Sequence, residues 1–397
     1  MNTPTSCDVL VIGAGPAGSA CAQQLARAGL DTLLVDQHSF PRDKVCGDGL
    51  IPDAHEALKV LGAYDVVMAA AQMAQHVGCI GPRGGRIDVP GRLAVLPRRV
   101  LDDILCRHAV QAGATLLAPA RFEAPLLDGD RVVGARLKIG AAEHDVQARW
   151  VVLATGAQAA PLVAAGVCER RTPSGMALRG YVKNDAMVGR ITALEVIWHK
   201  RLRRGYGWIF PCPGGVFNIG VGLAHSHEQG RMQDVNLREM LATFCDVYAP
   251  ARELVAVGMP ELKGAPLRCS LDGARWSRPG LLVTGEAAGA TYAFTGEGIG
   301  KALETGIQAA RSIVAQPDDA AVRAGYGAAL AALKPRFDLY ERAHRVNEHP
   351  WLADLLIWRA NKSARILRRM ENVLEEKGNP GNLVTARGLL RLFVPIR

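Results

Sequence analysis

Three features are missing from this sequence of 397 residues, and each absence excludes a class of protein. No apolar run reaches the roughly 18 residues that a membrane-spanning helix needs. None of the nine cysteines forms a CxxC pair, which argues against zinc and thiol redox centres and suits a reducing compartment. The N-terminus lacks a basic segment and a cleavage site. We therefore expect a cytoplasmic protein and predict no metal site.

The composition describes a folded chain with a basic surface. Hydrophobic residues make up 49% of the sequence and charged residues only 21%, which excludes a disordered chain. The length indicates two or three lobes. The net charge of +9 suits an acidic ligand, a membrane surface or a solvated basic face. We expect no nucleic-acid partner.

The segment CDVLVIGAGPAGSACAQQLARAG predicts a dinucleotide-binding site. Residues 7–12 form a short apolar run typical of a strand, and Gly13, Gly15 and Gly18 form a GxGxxG motif before a helical pattern. The glycines allow a tight turn, close approach of a pyrophosphate, and close packing of helix on strand. Asp36 ends a second predicted strand, at the spacing of a ribose-binding acid.

Three later segments carry a resemblance to a known superfamily. They are RxxxD at Arg98, ATG at Thr155 and GEAAG at Gly285. In these the chain resembles the FAD-dependent oxidoreductases of the glutathione-reductase and p-hydroxybenzoate-hydroxylase superfamily, with Glu286 where an Asp is usual. The fold that this implies is α/β plus antiparallel β: a Rossmann-type FAD-binding domain, an inserted β-sheet substrate domain and a C-terminal helical region.

The resemblance implies FAD as the cofactor and, together with the motifs, a set of binding residues. These are Gly13, Gly15, Pro16, Ala17, Gly18, Asp36, Gln37, Lys44, Cys46, Arg98, Thr155, Gly156, Gly285, Glu286, Gly296, Glu297, Gly298 and Ile299. The GEGIG segment begins a helix that the resemblance aims at the flavin pyrimidine edge. A helix N-terminus there stabilises negative charge on a reduced ring.

Within the superfamily, two segments resemble the geranylgeranyl reductase branch. The loop after the second strand carries Pro41, Arg42, Lys44, Cys46 and Gly47, close to P-R-x-K-x-C-G. The segment YGWIFP is similar to the Y-x-W-x-F-P strand of that branch. The GES motif usual in flavin halogenases is absent from this loop. Gly289 stands where aromatic hydroxylases usually have a histidine.

This branch implies reduction of carbon–carbon double bonds in an isoprenoid-like or other apolar substrate, by hydride transfer from reduced flavin. Aromatic walls suit a water-poor pocket. We predict Cys46, Tyr206 and Trp208 as catalytic, and Tyr206, Trp208, Phe210, Tyr292 and Phe294 as substrate-binding. The Cys46 thiol is a candidate proton donor or pocket-closing group, and also a packed core thiol. Lys44 is expected to pair with a phosphate, to favour thiolate at Cys46, or to be solvated.

Two other functional classes stay open. One is an FAD-dependent monooxygenase or halogenase acting on an aromatic or apolar substrate, because it shares the fold. The other is a non-catalytic flavin-binding protein, which would require a closed cavity near Tyr206 and Trp208. The sequence contains no second GxGxxG unit. We therefore expect the reductant, NAD(P)H or a protein electron carrier, to dock transiently.

The expected domains are interrupted in sequence. Residues 1–75, 96–165 and 275–325 are predicted to form the FAD-binding domain, residues 76–95 and 166–274 the substrate-binding sheet, and residues 326–397 the helical region. Strand-like segments such as ALRGYVKND and VFNIGVGL support the sheet.

The helical region permits two interpretations. Its apolar residues follow helical spacing, as in a cap on the core. Its bases at 359–369, its aromatic residues Trp351, Trp358 and Phe393, and the basic hairpin with Lys200, Arg201, Arg203 and Arg204 also suit peripheral membrane contact.

Overall fold

The computed structural model describes residues 4–170, 172–202, 204–224, 235–380 and 388. Arg203 and Phe393, which entered the membrane hypothesis, lie outside the described residues. Within the described ranges, no helix combines the length and the apolar character needed to cross a bilayer.

The strands, in chain order, are β1 Ser6–Ile12, β2 Thr32–Val35, β3 Gly49–Leu50, β4 Gln72–Ile80, β5 Arg86–Val95, β6 Thr115–Leu117, β7 Arg121–Asp128, β8 Arg131–Ile139, β9 Ala142–Leu153, β10 Gly175–Lys183, β11 Leu194–Ile197, β12 Gly205–Cys212, β13 Val216–Ala224, β14 Lys263–Leu267, β15 Ser277–Arg278 and β16 Leu281–Val283.

The α-helices are α1 Pro16–Arg27, α2 Pro52–Leu61, α3 Tyr64–Ala70, α4 Arg98–Gln111, α5 Ala159–Ala164, α6 Leu237–Val247, α7 Ala249–Leu254, α8 Ile299–Ala315, α9 Asp319–Ala343, α10 Arg345–Glu348, α11 Trp351–Ala360 and α12 Ala364–Leu374.

The first sheet is built around five parallel strands in the order β16-β9-β1-β2-β6. These strands are apolar on both faces because both faces are covered. Val9 of β1 packs with Leu25 of α1 on one side, and Leu10 packs with Leu137 of β8 on the other. Strands β7 and β8 pair antiparallel with each other, β8 also pairs with the first half of β9, and the two strands supply the cover on that side.

The second sheet has the order β14-β10-β13-β12-β11-β4-β5-β3. Its pairs are antiparallel except β11 with β4. Helices α6 and α7 cover one face, where Phe244 packs on Ile219 and Val221. Strand β4 begins at Gln72 and β3 pairs with β5, so residues within the predicted first segment, 1–75, also contribute to this sheet.

The C-terminal helices close the other side of the second sheet. Leu356 of α11 and Ile366 of α12 are buried in one cluster with Val89 of β5 and Trp198. The inner faces of α11 and α12 therefore form a cap, as one of the two interpretations expected. Helix α9, Asp319–Ala343, crosses the predicted boundary at residue 326.

Candidate functional site

The predicted nucleotide-binding residues converge at one edge of the first sheet. Gly13, Asp36 and Thr155 follow the carboxyl ends of β1, β2 and β9, and Gly285 follows β16. Because these strands are parallel neighbours, their ends meet in a crevice at the edge where open α/β sheets bind ligands. Segments far apart in sequence therefore contribute to a single site.

The three motif glycines have different physical reasons to be glycine. Gly13 has φ +103°, and a Cβ on it would lie 2.3 Å from the Ala154 carbonyl oxygen. A Cβ on Gly18 would lie 1.7 Å from the carbonyl oxygen of Gly13, so helix and strand pack backbone to backbone. A Cβ on Gly15 would meet only the Arg42 and Arg98 guanidinium ends, at 3.6 Å. The space in front of Gly15, called the Gly15 cradle below, is therefore open to the crevice.

The polar groups around this cradle fit FAD. Gly15 is the N-cap of α1, and no side chain caps the helix, so its first N–H groups are available to a pyrophosphate. The Thr155 hydroxyl oxygen is buried and has no hydrogen-bond partner in the described part of the chain. The Asp36 carboxylate accepts from the Ala14 N–H at 2.9 Å and from the His38 N–H at 3.0 Å. This fixes it at the end of β2, where a ribose hydroxyl would be bound.

Two guanidinium groups border the cradle. Arg98 is buried and donates to the Asp102 carboxylate at 2.6 and 2.8 Å. Arg42 bridges Asp36 at 3.2 Å and Asp102 at 3.0 Å. Sequence reasoning used Arg42 only as a branch marker and missed it as a wall residue, since nothing in its local pattern shows that it reaches Gly15.

The loop KVCGDGL is held in place by a buried aspartate that the sequence analysis did not select. Asp48 has φ +66° and is fully buried. Its Oδ2 accepts from Tyr181 Oη at 2.5 Å and Asn218 Nδ2 at 2.7 Å, and its Oδ1 accepts from the Arg98 N–H at 3.2 Å. Burial raises its pKa to about 6, against the lowering effect of these hydrogen bonds. Asp48 therefore fastens the loop to the second sheet and to α4.

Cys46 borders the cavity and also packs on the cluster that contains Leu50 and Leu303. Burial raises the pKa of its thiol, and Arg98 opposes that effect only in part. Lys44 also lowers this pKa, in the direction that the sequence suggested, but burial outweighs both positive charges. The Lys44 ammonium lies 3.9 Å from the Glu286 carboxylate.

Five aromatic rings form a continuous row along the cavity. Phe210, Trp208 and Tyr206 are every second residue of β12, and the centroids of neighbouring rings are 6.5 and 6.2 Å apart. Trp198 follows at 6.4 Å and stacks on Phe294 at 6.3 Å. The Trp208 indole N–H donates to Asn218 Oδ1 at 2.9 Å, which fixes the ring orientation.

The loop before α8 carries the predicted residues Gly296, Glu297 and Gly298, and Ile299 begins the helix. The Tyr206 hydroxyl donates to the Thr295 carbonyl oxygen at 2.5 Å and ties this loop to β12. Tyr292 also borders the cavity, but it is fully buried and stacks on Tyr340 at 3.9 Å. Its side chain offers less surface to a substrate than the prediction assumed.

These elements enclose one cavity of about 820 Å³. Apart from Gly18 and Gly285, every predicted site residue borders it. Gly285 has φ +64°, and a Cβ on it would lie 2.6 Å from that of Ala17. Gly18 and Gly285 therefore lie behind the lining residues and allow them to pack closely. The cavity extends from the crevice, past the aromatic row, into an apolar compartment lined by residues that include Val89, Leu356 and Met370. Sequence reasoning missed this lining because it comes from β4, β5, α11 and α12.

Comparisons with known proteins agree with this geometry. The family described as FAD binding domain matches residues 6–193. The menaquinone reductase of Mycobacterium tuberculosis is 34% identical over 337 residues, which cover 78% of this chain and 77% of the relative. A digeranylgeranylglycerophospholipid reductase of Methanopyrus kandleri is 30% identical and covers 75% of this chain and 78% of its own length.

Solved structures share the fold. A geranylgeranyl bacteriochlorophyll reductase-like protein from Thermoplasma acidophilum superposes with a TM-score of 0.72 at 22% identity, covering 99% of this chain and 97% of that one. A flavin-dependent brominase superposes with a TM-score of 0.69 at 22% identity, covering 91% and 93%. At these identities the likeness concerns the fold alone. FAD, expected from the sequence, is confirmed as the cofactor by the family match.

Proposed function

Because the chain belongs to the geranylgeranyl reductase family of FAD-dependent oxidoreductases, we propose that it saturates carbon–carbon double bonds in a lipid or quinone with an isoprenoid tail. The observation that carries this proposal is the continuity of the cavity from the cofactor crevice into an apolar compartment. An extended apolar chain fits a compartment with such walls. The names of the similar enzymes point to the same substrate class.

We propose a division of the chain that follows the predicted boundaries. Within the part of the chain that the structure describes, residues of 1–75, 96–165 and 275–325 would hold FAD, those of 76–95 and 166–274 would form the substrate-binding sheet together with β3 and the start of β4, and those of 326–397 would close the compartment. The Gly15 cradle, the N-terminus of α1, Asp36 and Thr155 would hold the cofactor. When bound and reduced, FAD supplies a hydride to an acceptor carbon.

The residues of the second sheet position the substrate and exclude water. Trp208 is oriented by Asn218, and Tyr206 by the Thr295 carbonyl group, so the ring faces are fixed before the substrate enters. Asn218 also donates to the Cys46 carbonyl oxygen at 2.8 Å, which joins the aromatic wall to the loop at the cofactor crevice. The predicted reductant, NAD(P)H or a protein carrier, would react from the open side of the crevice.

Anaerobic turnover tests the reaction. The protein loaded with FAD and reduced chemically is incubated with a polyprenylated menaquinone or with a digeranylgeranyl phospholipid, and the product is analysed by mass spectrometry. We expect the addition of two hydrogen atoms per saturated bond. An oxygen atom or a halogen incorporated in the presence of O₂ and halide, without saturation, would identify a monooxygenase or halogenase instead. No reaction with any substrate would favour a flavin-binding protein.

We also propose a peripheral membrane contact through the outer faces of α11 and α12. Trp351 and Trp358 are 57% and 47% exposed, and Lys362 lies 4.7 Å above the Trp358 ring. Lys362 and Arg368 are exposed on the same two-helix segment. Interfacial tryptophans and bases favour an anionic surface, at about 1 kcal/mol per base. The basic hairpin contributes less, because Arg201 is paired with Asp246.

Co-sedimentation with liposomes tests this contact. We expect pelleting on anionic liposomes at low salt, and release at high salt or when Lys362→Glu and Arg368→Glu are combined. Arg107→Glu together with Arg99→Glu on α4 is the control with the same change of charge. Equal pelleting of the two double variants would exclude the contact.

A further inference from the structure

Among the residues that the structure describes, six acidic residues border the cavity, and five of them are held by ion pairs or by several hydrogen bonds. Asp36 pairs with Arg42, Asp43 with Arg179, Glu123 with Arg121 and Glu286 with Lys44. Asp48 accepts the three hydrogen bonds described above. The remaining acid is Glu297. In the described part of the chain, no lysine, arginine or histidine lies within salt-bridge distance of the Glu297 carboxyl group.

Glu297 is held at the junction between the two parts of the cavity. Its carbonyl oxygen accepts from the Tyr292 N–H at 2.9 Å, and the Gly296 N–H donates to the Tyr292 carbonyl oxygen at 2.9 Å. The Tyr206 hydroxyl holds the adjacent residue, Thr295. This loop leads directly into α8, which borders the cofactor crevice, while Tyr206 belongs to the aromatic row.

The surroundings keep a proton on this carboxyl group. Burial raises the pKa of Glu297 to about 8, the carboxylate of Asp53 adds to the effect, and Lys301 opposes it. The charged and titratable groups that face it come from four packed elements and the segment after α12: Asp53 of α2, Lys301 of α8, Glu376, Tyr206 of β12 and Tyr340 of α9.

Three of these groups and their neighbour Glu304 belong to an ionic cluster around Lys301. The Lys301 ammonium is within 3.5 Å of Asp53, 2.8 Å of Glu376 and 2.7 Å of Glu304. Burial raises the pKa of Asp53 to about 7, although Lys301 lowers it. Glu304 is one-third exposed, so the cluster reaches solvent at this residue.

We propose that Glu297 is the proton donor for saturation of the double bond, an inference that rests on the proposed function. One alkene carbon takes a hydride, with its electron pair, from the reduced cofactor, which is thereby oxidised by two electrons. The O–H bond of Glu297 breaks, and its proton forms the new C–H bond at the other alkene carbon. The carboxylate is then reprotonated through the cluster around Lys301. Glu297 was expected to bind cofactor, and this gives it a different role.

The test compares Glu297→Gln with wild type and with Glu123→Gln, a control at another cavity-lining acid. Anaerobic single turnover is measured from acidic to basic pH. In wild type we expect the rate to fall as pH rises through about 8, because the protonated acid is the active form. Glu297→Gln is expected to retain FAD and to lose about 100- to 10,000-fold in rate, with no fall near that pH. Glu297→Asp is expected to restore part of the rate.

Infrared titration provides a measurement that does not depend on turnover. The wild-type protein is expected to show a carboxylic-acid band that disappears near pH 8, and the band should be missing in Glu297→Gln. An unchanged rate and pH profile in a folded Glu297→Gln variant would overturn the proposal. The proposal would also be overturned if Cys46→Ser, and not Glu297→Gln, lost the rate and the pH dependence, since the thiol would then be the donor. If wild type itself saturates no substrate, the proposed function fails, whereas the infrared result still reports on the carboxyl group.

Discussion

The two parts of the cavity are built in opposite ways. In the cofactor crevice, the ligand-facing groups are largely backbone atoms and short side chains at strand ends, such as Gly15 and Thr155. In the apolar compartment they are large side chains from separate elements, such as Trp198 and Leu356. The crevice depends on backbone conformation and tolerates little change. The compartment depends on side-chain volume, so it can be reshaped without loss of the cofactor.

The largest effect is expected from Gly15→Val, which should prevent cofactor binding in the crevice and leave the apolar compartment unchanged. Gly15 has an extended backbone, φ −75° and ψ −171°, and a Cβ there meets the protein only at van der Waals distance. The protein should therefore fold but lose at least about 100-fold in FAD affinity, or about 2.8 kcal/mol. Flavin absorbance of the purified protein and circular dichroism measure the two properties.

Gly327→Ala in α9 is the control, because a Cβ there meets nothing within 4 Å. It should leave both the fold and the flavin content unchanged. Full flavin occupancy in Gly15→Val would contradict the assignment of the cradle to the pyrophosphate.

Asp48→Ala tests the connection between the two parts. It leaves the Tyr181 hydroxyl without this acceptor, removes one of the two acceptors of the Asn218 amide, and places alanine at φ +66°. We expect the free energy of unfolding to fall by about 2–4 kcal/mol, as measured by urea denaturation. A loss no larger than that of a surface substitution would show that the loop is held by other contacts.

The variant Asp48→Asn tests the raised pKa of Asp48 through the pH dependence of the free energy of unfolding. The folded pKa of about 6 lies above the pKa of 3.8 of a free aspartate, so the protonated form favours folding. The stabilising contribution from protonation is fully present below about 3.8 and is lost as pH rises through about 6. Asparagine, like aspartate, adopts a positive φ more readily than most residues, and its side chain does not titrate. The difference in stability between wild type and Asp48→Asn should therefore change across this interval, and a constant difference would contradict the raised pKa.

The smallest effect is expected from Leu356→Trp, which narrows the compartment alone. Leu356 borders the cavity from α11, whereas its neighbour Leu355 does not, so Leu355→Trp is the matched control. We expect Leu356→Trp to retain FAD and to raise KM for a long isoprenoid substrate by about tenfold, or about 1.4 kcal/mol. The KM for a short-tailed analogue should rise less. Equal increases in KM for both substrates would indicate that the isoprenoid tail does not bind in the apolar compartment.

The sequence by itself determined the crevice, because each of its signals is local. A GxGxxG turn, an acid after a strand and an ATG strand end are recognisable within a few residues, and parallel strands bring their ends together whatever their separation in the chain. The resemblance of YGWIFP to the reductase branch likewise selected Tyr206, Trp208 and Phe210, and their spacing of two residues puts them on one side of β12. These features follow from backbone geometry, which short sequence patterns encode.

Tertiary structure alone decided which side chains meet across elements. Asp48 became a fastening point only when Tyr181 and Asn218 approached from the second sheet. Lys44 forms an ion pair with Glu286, and α11 and α12 line the cavity as well as capping the core. Such contacts depend on the angles and distances at which whole elements pack, and burial then sets the pKa values of the groups involved. No local pattern contains that information, because the partners of each residue lie tens to hundreds of positions away.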